Sequence, residues 1–387
     1  MMSRDSRASV SNETKEQVWR AYYDRRPVRV PVVLGINARV VILDPAWNRE
    51  GVTFEEYFID ASAIVTVQLR LAEFLYEYAH RYCDRPVGLP DEFALYVDVQ
   101  NCYDAAYFGS PLTYRDGQVP DCPPILAGSA KHRIFEQDIE HPLDNPFLRR
   151  ELALHSALER AAAGRTHRGM RLSVRRFQLG FDGAFTIAMA LRGGELLADL
   201  YEDPDYVRRL LAFIQRGVIL RREALARRIG AAPFDAAPSH ADDSIQLISV
   251  AMYREFVLPL HRQWYALWRD EPGSMHLCGD ATRHFPTIHR ELGVESFDTG
   301  FPVDFGGLRR QLGPDVEICG GPEVGLLLGG TPQQVGRRTR EILRSGVTEG
   351  GRFILREGNN LPPCVPEANL AAMYRACLEC GADVSGP

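Results

Sequence analysis

Short apolar, β-branched runs alternate along the chain with longer stretches in which apolar residues recur every three to four positions. The short runs predict strands at 30–36, 94–100, 172–180, 234–240, 274–278, 294–298, 316–320 and 352–356. The longer stretches predict helices over 53–80, 184–200, 204–228, 249–270 and 281–292, then one opening at Thr331 and one at Pro366. Cap chemistry supports several of these. Ser249 is a good N-cap, Gly293 a good C-cap, and Thr331-Pro332-Gln333-Gln334 combines a cap hydroxyl, Pro at the first helical position and Gln three residues on. Strands separated by crossover helices imply a parallel sheet. Eight of them predict an α/β fold, the (β/α)8 TIM barrel, with N-terminal additions and an insertion in the first half. In this reading 1–26 is an arm and helix and 27–387 is one barrel. The Pro-, Asp- and Gly-rich stretch 101–150 is the insertion, expected to cover one barrel mouth. A doubly wound sheet more often carries G-x-G-x-x-G after its first strand, and Gly35-Ile36-Asn37-Ala38 does not match it.

Composition narrows the function classes. At 45% apolar and 25% charged, 387 residues are ample for a large core. A net charge of −6 without a long Lys/Arg run disfavours nucleic acid and anionic membranes as partners. No apolar run approaches the roughly 18 residues needed to span a bilayer. The N-terminus MMSRDSRASVSNETKEQ has no apolar signal core, so a cytoplasmic protein is expected. In that setting the eight cysteines are expected to be reduced thiols. Cys377-x-x-Cys380 lies in a helical pattern without a second pair. The pairs Arg149-Arg150, Arg175-Arg176, Arg221-Arg222 and Arg309-Arg310 are expected on solvated faces, with one pair gripping an acidic substrate as the alternative.

In a barrel of this kind reactive groups sit at the C-terminal ends of strands. Those positions hold Asn37, Asn101, His240 with Asp242 and Asp243, His276 with Cys278, Asp298, Cys319, and Asn359-Asn360. His276-Leu277-Cys278 is the sharpest signal. Side chains two apart on a strand point the same way, and imidazole and thiol are both zinc ligands. His240 and Cys364 are candidate further ligands. Glu255, on a helix, reads alone as a surface carboxylate. Asp242 and Asp243 are either partners orienting a ligand imidazole or an Asp-rich turn. Cys319, before Gly320-Gly321, reads as a packed small residue.

The segments GFDGAFTIAMALRGGELLADLYEDPDYVRRLL (180–211), HADDSIQLISVAMYREFVLPLHRQW (240–264), MHLCGDATRHFPTIHRELGVESFD (275–298) and FILREGNNLPPCVPEANLAAM (353–373) resemble the uroporphyrinogen decarboxylase superfamily. That superfamily also contains the corrinoid-linked methyltransferases. The resemblance covers roughly 90–380 and implies the same barrel. The decarboxylases have an Arg-rich motif after the first strand, where this chain reads VLGINARVVILDPAWN with Arg39 alone; their late His falls at Asn359. The methyltransferase branch is the better match, because its H-x-C zinc motif falls on His276-Leu277-Cys278. The late Cys of its thiol-methylating members falls at Asn359, with Cys364 five residues on. Some corrinoid-linked ether demethylases space their zinc ligands at the intervals separating His240, Glu255 and His276, which implies Glu255 as a ligand. Asp242, Asp243 and Asn359 become candidate catalytic residues.

The resemblance thus implies a zinc-dependent methyltransferase exchanging a methyl group between a small ether, amine or thiol and a corrinoid. The chain has no D-x-H-x-x-G corrinoid-binding segment, so cobalamin would arrive free or on a partner protein. A metal-free decarboxylase or lyase, and a non-catalytic barrel holding a corrinoid or tetrapyrrole, are the alternatives.

Overall fold

The computed structural model describes residues 10–234, 238–268 and 272–381. The chain divides into two compact units, one gathering 48–68 with 92–298, the other gathering 1–47, 69–91 and 299–387.

The first unit carries six strands: β1 (Glu92–Leu95), β2 (Thr166–His167), β3 (Met170–Val174), β4 (Ser239–Ala241), β5 (Gly273–Leu277) and β6 (Val294–Thr299). β1 and β3 are parallel, as the alternation of strand and helix requires. β2 is an addition that periodicity did not predict. It folds back antiparallel on β3 through Arg168 and Gly169, whose φ of 52° and 83° match the twist of a tight hairpin. β4 and β5 are parallel and β6 lies beside β5. Part of the expected strand 234–240 falls outside the described residues, and the ladder begins at Ser239.

Helices of this unit follow the apolar periodicity. Pro204–Arg228 starts at Asp203, whose carboxylate accepts from the Tyr206 N–H, and buries Leu210, Leu211 and Ile214. The helix expected over 249–270 starts where Ser249 caps the Met252 N–H, but it is not regular. Residues Tyr253–Val257 form a π turn in which the Leu258 N–H reaches back to the Tyr253 carbonyl. Pro259, one residue further, has no N–H to give, so the ladder must slip there. Residues 101–150 belong to this unit and form short helical turns, among them Tyr103–Tyr107, Gly128–Glu136 and Pro142–Asp144.

The second unit holds β7 (Glu317–Gly320) and β8 (Phe353–Leu355), parallel to each other. The expected strand 30–36 contributes one parallel bridge, Val32 to Leu355. The expected capping box is present, Thr331 accepting from the Gln334 N–H and the Gln334 side chain accepting from the Thr331 N–H. Arg29 grips Asp84 with two bonds of 2.7 Å, and Asp84 also accepts from the Tyr374 hydroxyl and the Val32 N–H. None of the eight cysteines forms a disulfide. Among the described residues no helix is long and apolar enough to cross a membrane.

Candidate metal centre at the end of β5

β5 alternates: Gly273, Met275 and Leu277 are buried, while Ser274 and His276 face the other way and are half-buried. Cys278 continues the His276 side, and His276 Nε2 lies 2.9 Å from Cys278 Sγ. Gly279 then turns the chain at φ +69°, and a Cβ there would stand 1.8 Å from Gln246 Oε1. That oxygen accepts the Asp280 N–H at 3.1 Å, so a residue with a side chain at 279 would disturb the turn behind the thiol.

The neighbouring strands complete the set. In the β4–β5 ladder Ala241 is level with His276, and His240 with Met275. Level residues of parallel strands share a face, so Ala241 stands on the His276 side and His240 on the opposite side. Asp243, two residues after Ala241, returns to the His276 side, and its Oδ1 accepts the Cys278 N–H at 2.7 Å. Asp243, His276 and Cys278 each offer a donor atom within 4.8 Å of the others. From β6, Asp298 Oδ2 accepts from His276 Nδ1 at 2.8 Å. That bond fixes the ring and directs Nε2 toward the thiol, the arrangement a metal-ligating imidazole needs. Burial opposes charge on His276, but hydrogen bonds to Asp298 and Cys278, and their negative charge, outweigh it and raise its pKa to about 11. Burial pushes the Cys278 thiol up, with His276 pulling the other way.

Asp242 and Asp243 are adjacent and face opposite ways. Asp242 is fully buried, its Oδ1 accepting the Thr186 N–H at 2.7 Å and its Oδ2 lying 3.0 Å from His261 Nε2. Thr186 is in the first turn of the helix Ala184–Arg192, so the carboxylate closes a helix N-terminus, where negative charge is favoured. His261 passes the network on to the Tyr253 hydroxyl at 3.1 Å. A Cβ on Gly183 would overlap Asp242, which shows how closely this carboxylate is cradled.

Within this unit, His240 and Glu255 do not join Asp243, His276 and Cys278. His240 is buried among Trp264, Phe181 and His261 with no hydrogen bond to either ring nitrogen. The strand alternation that pairs His276 with Cys278 excludes it from their face. Glu255 lies on the π turn and pairs with Arg208 at 2.6 Å, both side chains about half exposed. Cys364 and Asn359 belong to the other unit. Cys364 is exposed at φ +61°, its Sγ 3.8 Å from the Leu43 carbonyl, and the Asn359 N–H bonds to the Glu357 carbonyl. Asp298 stood among the strand-end positions without an assigned role. Its role, like those of His261 and Tyr253, depends on neighbours distant in sequence.

A family model for uroporphyrinogen decarboxylase (URO-D) matches residues 177–380, just over half of the 387-residue chain, and includes every residue of this centre. The chain belongs to the uroporphyrinogen decarboxylase family. This URO-D chain is 39% identical over 139 residues to the methylated-thiol–coenzyme M methyltransferase of Methanosarcina mazei. That match spans 35% of each chain, so the chain covers about a third of the relative's length. A solved structure of a methyltransferase from Methanosarcina mazei aligns with 95% of this chain and 98% of its own, at a TM-score of 0.61 and 15% identity. At that identity the likeness carries the fold alone, the (β/α)8 barrel of the URO-D family.

Proposed function

We propose that this URO-D chain is a zinc-dependent methyltransferase that moves a methyl group between a small ether, amine or thiol and a corrinoid, free or carried by a partner protein. The observation that carries this reading is the convergence of Asp243, His276 and Cys278, with Asp298 locking the imidazole. The methyltransferase names of the two similar proteins point the same way. One nitrogen, one sulfur and one oxygen donor suit zinc and fit poorly with magnesium or calcium, which prefer all-oxygen shells. Three protein ligands are also the count of catalytic rather than closed structural zinc sites. When bound, zinc acts as a Lewis acid on the heteroatom that carries or receives the methyl group.

The chain's own residues prepare for this. Asp298 bonds His276 Nδ1 and keeps Nε2 directed at Cys278, where a metal would take it. Asp243 ties the Cys278 backbone to the end of β4, and Asp242 anchors that end to the helix Ala184–Arg192.

The test is elemental analysis of protein purified without chelator, followed by methyl transfer to cob(I)alamin from methylated thiols, amines and ethers, read by visible absorbance. About one zinc per chain is expected. Cys278→Ser is expected to lower both zinc content and transfer while the circular dichroism spectrum stays unchanged. Active wild-type protein without stoichiometric metal would overturn the zinc reading and favour a metal-free lyase.

A further inference from the structure

Two arginine pairs, Arg175-Arg176 and Arg221-Arg222, line one cavity of about 400 Å³ within the first unit. It lies between the segment 175–181 after β3 and the end of the helix Pro204–Arg228. None of Asp243, His276, Cys278 and Asp298 lines it.

The lining is one-sided in charge, with no aspartate or glutamate among the described residues that line it. Arg221 is 2% exposed, and its Nη2 donates to Asp104 at 2.7 Å and to the Gly180 carbonyl at 3.1 Å, so it forms the paired floor of the cavity. Arg176 is exposed and makes no hydrogen bond or ion pair with any described residue. Three of the guanidinium groups lie over aromatic rings, Arg175 5.1 Å from the centre of Tyr96, Arg222 5.2 Å from that of Phe181 and Arg221 4.7 Å from that of Tyr107. A second hollow of about 470 Å³ shares Arg176 and Phe177 and adds Arg228 and Glu159.

We propose that this cavity binds a small organic anion, a carboxylate or phosphate head on an apolar or aromatic body, with the head at Arg176 and the body against Phe177 and Phe181. The volume lies at the small end of ligand sites, which run from roughly 300 to 1,000 Å³. The Arg176 guanidinium matches carboxylate and phosphate geometry, and the aromatic faces match a flat body. The site does not depend on the methyl-transfer reading and holds for zinc-free protein.

The test titrates chelator-treated full-length protein with phenyl phosphate, benzoate, inorganic phosphate and benzyl alcohol by calorimetry. Trp268 provides an optical readout, because the Arg222 guanidinium lies 5.3 Å from its ring centre. Saturable binding of phenyl phosphate or benzoate is expected, the better of the two identifying the head, with inorganic phosphate and benzyl alcohol each at least about 10-fold weaker. Arg176→Gln is expected to weaken the better ligand about 10-fold, and the surface control Arg337→Gln to leave it unchanged. Should Arg176→Gln disturb the fold, Phe177→Leu supplies the second variant, with the same loss expected. Equal affinity for benzyl alcohol, equal binding in both arginine variants, or no saturation by any anion overturns the proposal.

Discussion

Replacing His240 with Phe tests both the burial of this residue and its exclusion from the metal set. The ring is 3% exposed and is stacked on Trp264, with centroids 5.0 Å apart. Burial, with the nearby charge of His261, lowers its pKa from 6.5 to about 3, against a smaller opposing pull from Asp242. The folded state therefore keeps this imidazole neutral where the unfolded chain protonates it. A lowered histidine pKa makes stability fall as pH drops below the unfolded value near 6.5, levelling off below the folded value. At pH 5 the unfolded chain gains RT ln of about (1 + 10^1.5)/(1 + 10^−2), roughly 2 kcal/mol. A folded value one unit higher barely changes this figure, because pH 5 lies above both. Phenylalanine keeps an aromatic ring against Trp264 and removes the proton. Chemical denaturation followed by tryptophan fluorescence between pH 7.5 and 4.5 should show His240→Phe losing about 2 kcal/mol less than wild type on going from pH 7 to pH 5. Zinc content should be unchanged. Parallel pH profiles would refute the neutral buried imidazole, and loss of zinc would return His240 to the ligand set.

Asp298→Asn removes the charge behind His276 and should weaken zinc binding about 10- to 100-fold in competition with a chromophoric chelator, with the fold intact by circular dichroism. Gly279→Ala forces a side chain into a left-handed turn and onto Gln246; a loss of about 1–2 kcal/mol or more is expected in denaturant unfolding. Glu255→Gln breaks only a half-exposed pair with Arg208, so it should change stability by less than about 0.5 kcal/mol and leave zinc content at the wild-type level.

What could be deduced from the sequence follows the range of each signal. His276 and Cys278 converge because a strand repeats every two residues, and that information lies within three consecutive positions. Helix starts at Ser249, Thr331 and Pro204 were readable for the same reason, since cap, proline and apolar stripe are local. The face that His240 takes was not readable, because it depends on register against β5, and register is set by packing between strands rather than by the residues of β4 alone. Had Ala241 been taken as level with Met275, His240 would have pointed to the metal side. The slip at Pro259 was visible as a proline but not as a π turn, because the outcome depends on which carbonyl the next free N–H reaches. Arg221 and Asp104 are 117 positions apart, and nothing near either residue announces the other. The interval match of His240, Glu255 and His276 shows the converse: similar spacing on different elements leads to different surroundings.

The opposed directions of Asp242 and Asp243 have an evolutionary consequence. Successive residues divide foundation from function, one closing a helix end in the interior and the other offering an oxygen to the reactive face. A change at position 243 falls on the donor set and on the bond to the Cys278 N–H. A change at position 242 falls on the interior, on the bonds to Thr186 and His261. Lineages descending from this chain should diversify at the second aspartate and stay fixed at the first.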